Sequence, residues 1–239
     1  MASPSTENLR RRRAPRGSGD LLRDEILDAA TELLLGTGHT KAVSIRSVAD
    51  RVGVTPPSIY LHFHDKDALF DAVCARYFEK LNDEMQRVSA GQSYTVEVLR
   101  AQGLAYVRFA TENPELYRIA TMGEWRSDSH VDAALASSAF AHMTSTVRTL
   151  MDEGIFPRGD ASAVALELWS AAHGVASLLI AKPHLPFGDA EEFTDRVLRA
   201  IFSGHMVAGL VGADATPKQV VERLTALKSS EQVANGWSA

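Results

Sequence analysis

Cysteine is almost absent: Cys74 stands alone in 239 residues, so no intramolecular disulfide can form. No amino-terminal apolar run resembles a signal peptide or a membrane span, and with the lone thiol this predicts a cytosolic protein. A glycine-rich phosphate loop is missing. No stretch alternates apolar and polar residues in the manner of a half-buried strand, and no segment repeats, so the expected fold class is all-α. Nor do the histidines and carboxylates assemble into a convincing catalytic or metal-binding set. His62 and His64 have the spacing of a metal pair, but no further ligand follows at a useful distance. Glu167 reads as a solvated helix residue or an ion-pair partner rather than a base. The expectation is therefore no enzymatic activity, no metal and no cofactor.

Basic charge is scarce overall, with a formal net charge of −5. Spread evenly, that balance would count against a nucleic-acid binder. It is uneven: residues 1–66 hold ten Lys and Arg against eight Asp and Glu, whereas residues 67–239 hold fifteen against twenty-two. Phosphate neutralisation is local, so a small basic head on a large acidic body suits DNA. Hydrophobic residues make up 45% of the chain, enough for one large domain or two small ones. Cys74 falls between Val73 and Tyr77 on an apolar helix face, where a buried structural thiol is favoured over a redox sensor.

The most informative stretch is residues 44–66. Ser44 is placed to N-cap a helix whose apolar positions Ile45, Val48, Ala49 and Val52 share one face. Gly53 can close that helix in the left-handed conformation, with Val54 as a hydrophobic plug. Thr55 is a candidate N-cap for a second helix, and Pro56 and Pro57 fall in its first turn, where no intrahelical N–H is lost. Ile59 and Phe63 anchor it inward and leave Ser58, Tyr60, Leu61 and His62 outside. Helix, glycine turn and second helix make a helix-turn-helix, whose second element enters the major groove.

The run Ile45-Arg46-x-Val48-Ala49-x-x-x-Gly53-Val54, followed by Ile59-Tyr60-x-His62-Phe63-x-x-Lys66-x-x-Leu69, resembles the TetR family of bacterial transcriptional regulators. Position by position, the resemblance implies phosphate contacts from Ser44 and Lys66, with Arg46 able to reach a base. Thr55, Pro56, Pro57, Ser58, Tyr60, Leu61 and His62 form the reading face. Tyr60 and His62 usually meet phosphates in the family, so base choice rests on Arg46 and on residues 55–58, where two prolines offer only apolar contact. Relatives with a polar side chain there differ.

Residues 1–19 carry Arg10, Arg11, Arg12, Arg13 and Arg16 among Pro, Ser and Gly and predict a disordered basic arm. It reads either as a solvated tail or as an arm that tracks phosphates or enters the adjacent minor groove. The head is expected at 20–65, with a first helix from Asp20 to Gly36 through Leu22, Ile26, Ala30, Leu33 and Leu34. A helical regulatory and dimerisation domain follows over 66–228, then a flexible tail over 229–239, about nine or ten helices in all.

In the body, Asp65 should cap a fourth helix to about Val88, with Lys66 at an amino terminus that itself favours phosphate. Further helices are expected to Ala110, from Asn113-Pro114, from about Ser129 to Glu153, from Asp160 to about Ala181, from Asp189 to about Val211, and from Pro217 to Leu227. The pair at 160–181 and 189–211 is apolar around much of its circumference and needs more cover than one body offers. The resemblance implies that this pair forms a four-helix bundle with its copy, a homodimer. Trp169-x-x-x-His173-Gly174 is similar to a signature of one TetR subgroup. His173 reads as a satisfied core histidine or as a polar contact to a ligand. Tyr106, Phe109, Tyr117, Met122, Trp125, Phe140, Met143 and Trp169 are core residues individually. Together they match the lining of the family's small-molecule pockets, which implies an apolar or aromatic effector. The expected function is a dimeric repressor on a palindromic operator, released by that effector; the alternatives are a DNA-binding regulator without a small-molecule ligand and, in a different class, a helical interaction protein.

Overall fold

The computed structural model describes residues 19–122 and 137–235. Among them the chain is all-α, with ten α-helices, one 3-10 turn and no strand. Contacts divide it into two compact units, one built from residues 19–80 with 112–122 and the other from 81–111 with 138–235. Arg10, Arg11, Arg12, Arg13 and Trp125, and the side chain of Met122, lie outside the described residues.

In the first unit, α1 (Gly19–Thr37) buries Ile26, Leu27, Ala30 and Leu34 along one face and ends before Gly38, whose φ of +70° is left-handed. Leu22 and Leu33, expected on that face, are only half-buried, while Leu27 and Ala29 are buried. The stripe is rotated because α1 is covered from two sides, by α2 (Ile45–Val52) and by α6 (Pro114–Met122). A 3-10 turn at Thr40–Ala42 leads into α2, and α3 (Pro56–Tyr60) packs against α2. The first turns of α4 (Lys66–Ser89) add Leu69, Phe70 and Val73 to the core. Each fully buried aliphatic side chain here contributes about 1.5–3 kcal/mol. Arg51–Glu32 at 2.6 Å and Arg76–Asp28 at 2.8 Å tie α2 and α4 to α1; the first pair is largely in water and adds little stability, whereas the Arg76 side chain is only 29% exposed.

Cys74 is buried among these side chains, and burial pushes its thiol pKa up to about 12. It is an inert core residue at neutral pH.

The second unit comprises the last turns of α4, α5 (Thr95–Glu112) up to residue 111, α7 (Ser138–Asp152), α8 (Ala161–Ala181), α9 (Ala190–Val211) and α10 (Pro217–Asn235). Helix α8 packs on both α7 and α9. Asp160 caps α8 through the N–H groups of Ser162 and Ala163, and Asp189 caps α9 through that of Glu192. Helix α5 meets α9 at Gly103, where an added Cβ would stand 2.7 Å from Leu198 Cδ1. An ion-pair cluster of Arg100, Asp195 and Arg199 joins the same helices and holds the Asp195 carboxyl below the usual range, chiefly through its hydrogen bond from Arg100.

Two helix boundaries differ from expectation. The helix placed at 129–153 starts, within the described residues, at Ser138 after a bend at Ser137. The last helix runs to Asn235 instead of ending near Leu227, since no Gly or Pro interrupts the chain before Gly236.

Candidate nucleic-acid interface

Helix α2 is held at both ends by local chemistry. Ser44 accepts from the N–H of Ser47 at 3.0 Å, while Ser47 Oγ accepts from the N–H of Ser44 at 2.9 Å, a reciprocal capping box with serine in the place usual for Glu or Gln. At the other end Gly53 has φ +78°, and the N–H groups of Gly53 and Val54 both reach the Ala49 carbonyl, at 2.9 and 3.0 Å. A residue with a Cβ would be strained there, so the turn aiming α3 depends on glycine.

Helix α3 is short and doubly anchored. Ile59 and Phe63 are buried, and Phe63 is overlain by the Arg23 guanidinium at 5.2 Å. Opposite them Tyr60 is 52% and Leu61 84% exposed. Pro57 and Thr55 are exposed, and Pro56, Ser58 and His62 are half-buried. Thr55 has the extended backbone of an N-cap, but its side chain accepts no cap hydrogen bond. Its hydroxyl instead lies 3.1 Å from that of Ser58, so the two share one hydrogen bond. This corrects the capping role expected for Thr55 and leaves the start of α3 set by the two prolines.

Ser44, exposed at the start of α2, and Arg46, exposed one turn-fraction on, flank this face. Arg46 makes no ion pair among the described residues, in contrast to Arg51 on the same helix. Lys66 opens α4 with its ammonium 5.3 Å from the Phe70 ring centroid. Asp65 caps that helix, accepting from the Ala68 N–H at 2.8 Å, and is itself met by His64 at 3.0 Å. One of the N–H groups expected to be open to phosphate at the α4 terminus is therefore already taken, and Lys66 carries the positive charge there.

Within the second unit, the Tyr106 hydroxyl lies 3.3 Å from Nδ1 of His173, whose ring stacks on Trp169 with centroids 4.9 Å apart. Burial lowers the His173 pKa, which keeps the ring neutral at pH 7. Phe109, Phe140 and Met143 are half-buried on α5 and α7. Tyr117 is fully buried in the first unit, where it helps raise the Tyr77 pKa, behind burial as the larger cause. The structure thus joins Tyr106, Trp169 and His173 and places Tyr117 in a different unit.

Two features escaped the sequence reading. A cleft of about 250 Å³ lies among Leu104, Val107, Arg108, Thr111, Leu179, Asp189, Ala190, Glu191 and Thr194. None of the residues expected to bind a ligand lines it, and three of its lining residues carry charge. The other is a polar knot at Gln102 and His142. Gln102 is fully buried, and its amide nitrogen lies 2.9 Å from Thr146 Oγ1, 3.2 Å from His142 Nε2 and 3.3 Å from Ser89 Oγ. The available signal was a lone amide midway between Leu99 and Tyr106, on the inner face of an otherwise apolar helix stripe.

Two family profiles match the chain. The one described as bacterial regulatory proteins, tetR family, covers residues 26–73, and that of the tetracyclin repressor-like C-terminal domain covers 99–201. The helix-turn-helix-type transcriptional activator FasR of Mycolicibacterium smegmatis is 29% identical over 130 residues, 54% of this chain and 58% of that relative. An uncharacterised helix-turn-helix-type regulator of Mycobacterium tuberculosis is 28% identical over 179 residues, 75% of this chain and 79% of its own. Among solved structures, a protein of unknown function from Rhodococcus sp. RHA1 superimposes with a TM-score of 0.64 at 27% identity, covering 77% of this chain and 95% of that one. A TetR-family regulator from Mesorhizobium loti shares the fold, with a TM-score of 0.60 at 18% identity, over 80% and 98% of the two chains.

Proposed function

Because this chain belongs to the TetR family of DNA-binding transcriptional regulators, we propose that it acts as a homodimeric repressor of a palindromic operator and is released by a small apolar or aromatic effector. The observation that carries the DNA reading is the doubly anchored α3, with Tyr60 and Leu61 projecting from a rigid base. A short helix fixed by Ile59 and Phe63 enters a groove without ordering cost, and Tyr60, His62, Ser44 and Lys66 set register on phosphates. Arg46 reads a base edge, and Pro56, Pro57 and Leu61 offer apolar contact to a thymine methyl. Arg10, Arg11, Arg12 and Arg13 are assigned to the adjacent backbone or minor groove. The regulator works in the cytoplasm, where its DNA is.

The dimer reading is supported by helices α8 and α9. Helix α8 has a mean hydropathy of 1.5 over an 18-residue window of which only 28% is buried. Gly174 and Gly204 lie inside α8 and α9, and a Cβ on either would meet nothing within 4 Å. Each helical glycine costs about 1 kcal/mol relative to alanine. No contact among the described residues requires them, and close approach of a second copy would account for both. Two heads roughly 34–36 Å apart then fit successive major grooves.

Effector control is assigned to the body around Tyr106, Trp169 and His173. Helix α4 begins with the DNA-facing Lys66 and ends among the body residues, so it is the element through which a ligand biases the heads. That works only if the ligand binds one state better, typically by ~1–3 kcal/mol.

The deciding experiment is fluorescence anisotropy of the purified protein on its own upstream intergenic DNA and on a scrambled control, over a salt series. A preference of ~10³-fold or more for the native fragment supports a specific operator. Equal, steeply salt-dependent binding to both leaves phosphate attraction alone and removes the repressor reading for that site.

A further inference from the structure

Arg23 is an exposed cation on α1, outside the helix-turn-helix motif, yet its charged end rests on that motif. The guanidinium carbon lies 5.2 Å from the ring centroid of Phe63, the buried residue that anchors the end of α3. Phe63 directly follows His62, so their Cα atoms are about 3.8 Å apart. The Phe63 N–H reaches the Ile59 carbonyl at 3.0 Å and so continues the turn that carries Tyr60. Arg23 thus brings a positive charge from α1 to the end of α3. A cation–π contact holds that charge without neutralising it. Asp20 and Asp24 flank Arg23 on α1, but no carboxylate among the described residues pairs with it, whereas Arg51 and Arg76 of the same unit are each met by a carboxylate of α1. Lys66 is mounted in the same way, with its ammonium 5.3 Å from the Phe70 centroid. Two unneutralised cations near the starts of α1 and α4 therefore stand on core aromatic rings of this unit.

We propose that Arg23 contacts a phosphate of the DNA backbone beside α3, an assignment that rests on reading α3 as the DNA-facing element. Phosphate is favoured over a base by position. Phe63 is buried while Tyr60 and Leu61 project into solvent, so a side chain lying over Phe63 stands at the edge of the element rather than at its tip. Base edges meet the tip of a helix in the groove, and the sugar-phosphate strands meet its edges. The guanidinium also suits a phosphate, being planar, permanently charged and able to donate two parallel N–H bonds. Contact with the Phe63 ring restricts the side chain before DNA arrives, so less freedom is lost on binding. Arg23 then contributes affinity and register, not sequence choice.

The test uses the full-length protein and its Arg23→Gln, Arg23→Met, Arg23→Lys and Arg148→Gln variants, in fluorescence anisotropy on the upstream intergenic fragment and on a scrambled duplex from about 50 to about 200 mM salt. Arg23→Gln and Arg23→Met should weaken binding to both duplexes by the same factor. Each should also make log affinity against log salt shallower by about 0.9 for each chain on the DNA. Over that salt range wild type then loses about 3.5-fold more affinity per bound chain than either neutral variant. Arg23→Lys should keep the wild-type slope, because it keeps the charge. Arg148→Gln removes an exposed positive charge from the second unit and should leave the slope unchanged. Methionine still covers the Phe63 ring, so an Arg23 that only braces α3 gives a different pattern: Arg23→Met binds as wild type does, and Arg23→Gln loses operator affinity alone with no change of slope. That pattern, unchanged slopes in both neutral variants, or an equal change in Arg148→Gln overturns the assignment. If Arg23→Gln does not fold, Arg23→Met carries the test. A wild type that prefers neither duplex refutes the operator reading alone, since the Arg23 slope is still read on both.

Discussion

Tyr60 shows how much one exposed atom can decide. Its ring stands on a helix anchored by Ile59, so removing its hydroxyl leaves the fold intact. Tyr60→Phe should weaken operator binding about tenfold, the loss of one hydrogen bond to a charged group at about 1.5 kcal/mol, with an unchanged unfolding midpoint. Unchanged affinity in anisotropy would take Tyr60 off the interface. Burial lowers the pKa of both His142 and His173 and favours the neutral ring. A histidine with a depressed folded pKa contributes stability that is complete above its unfolded value near 6.5 and is lost as pH falls below it. Urea midpoints should therefore decline from about pH 6.5 downward, and His142→Phe should shallow that decline. Glu84 acts lower on the scale: hydrogen bonds from Arg87 first, then from Arg108 against an opposing burial cost, hold its carboxyl near about 2. Its contribution is complete above about 4.5 and disappears as pH falls toward 2.

Among the elements, caps and turns were the most legible features. Ser44 at the start of α2, Gly53 at its end, Asp65 before α4, Asp160 before α8 and Asp189 before α9 each do in the structure what their side chains and positions imply. These effects are local: a short oxygen-bearing side chain finds an N–H two or three residues away whatever the rest of the chain does. Asp160→Ala should destabilise the protein by about 1 kcal/mol in urea unfolding without altering its helix content. Thr55 shows the limit of that logic, since Ser58 is equally near and captures its hydroxyl. The α1 face was read a fraction of a turn off for a different reason. Periodicity reports that a face is apolar, but cover from both α2 and α6 decides its centre.

For the whole molecule the open question is what covers α8 and α9. Gly174 and Gly204 face open space, and Leu178 and Leu210 are exposed on the same helices. Gly204 is exposed and a Cβ there meets nothing within 4 Å, so Gly204→Leu should leave the monomer fold intact and should break a close helix contact with a second copy. Sedimentation should show wild type at twice the 26.0 kDa chain mass and the variant at that mass. A wild type that sediments at the single-chain mass would end the dimer reading.

The helical class, the helix-turn-helix and its outward side chains, the acidic body and the apolar pair at 161–181 and 190–211 were determined by the sequence itself. Each depends on spacing, caps or composition within one segment, where period and local hydrogen bonding act alone. Tertiary structure decided the rest. It set Tyr106 against His173 and Trp169, kept Tyr117 in a different unit, and buried Gln102 so that its carbonyl oxygen met no partner. Those outcomes depend on which residues from distant helices arrive opposite one another, and hydrogen-bond supply and demand can be counted only once they have.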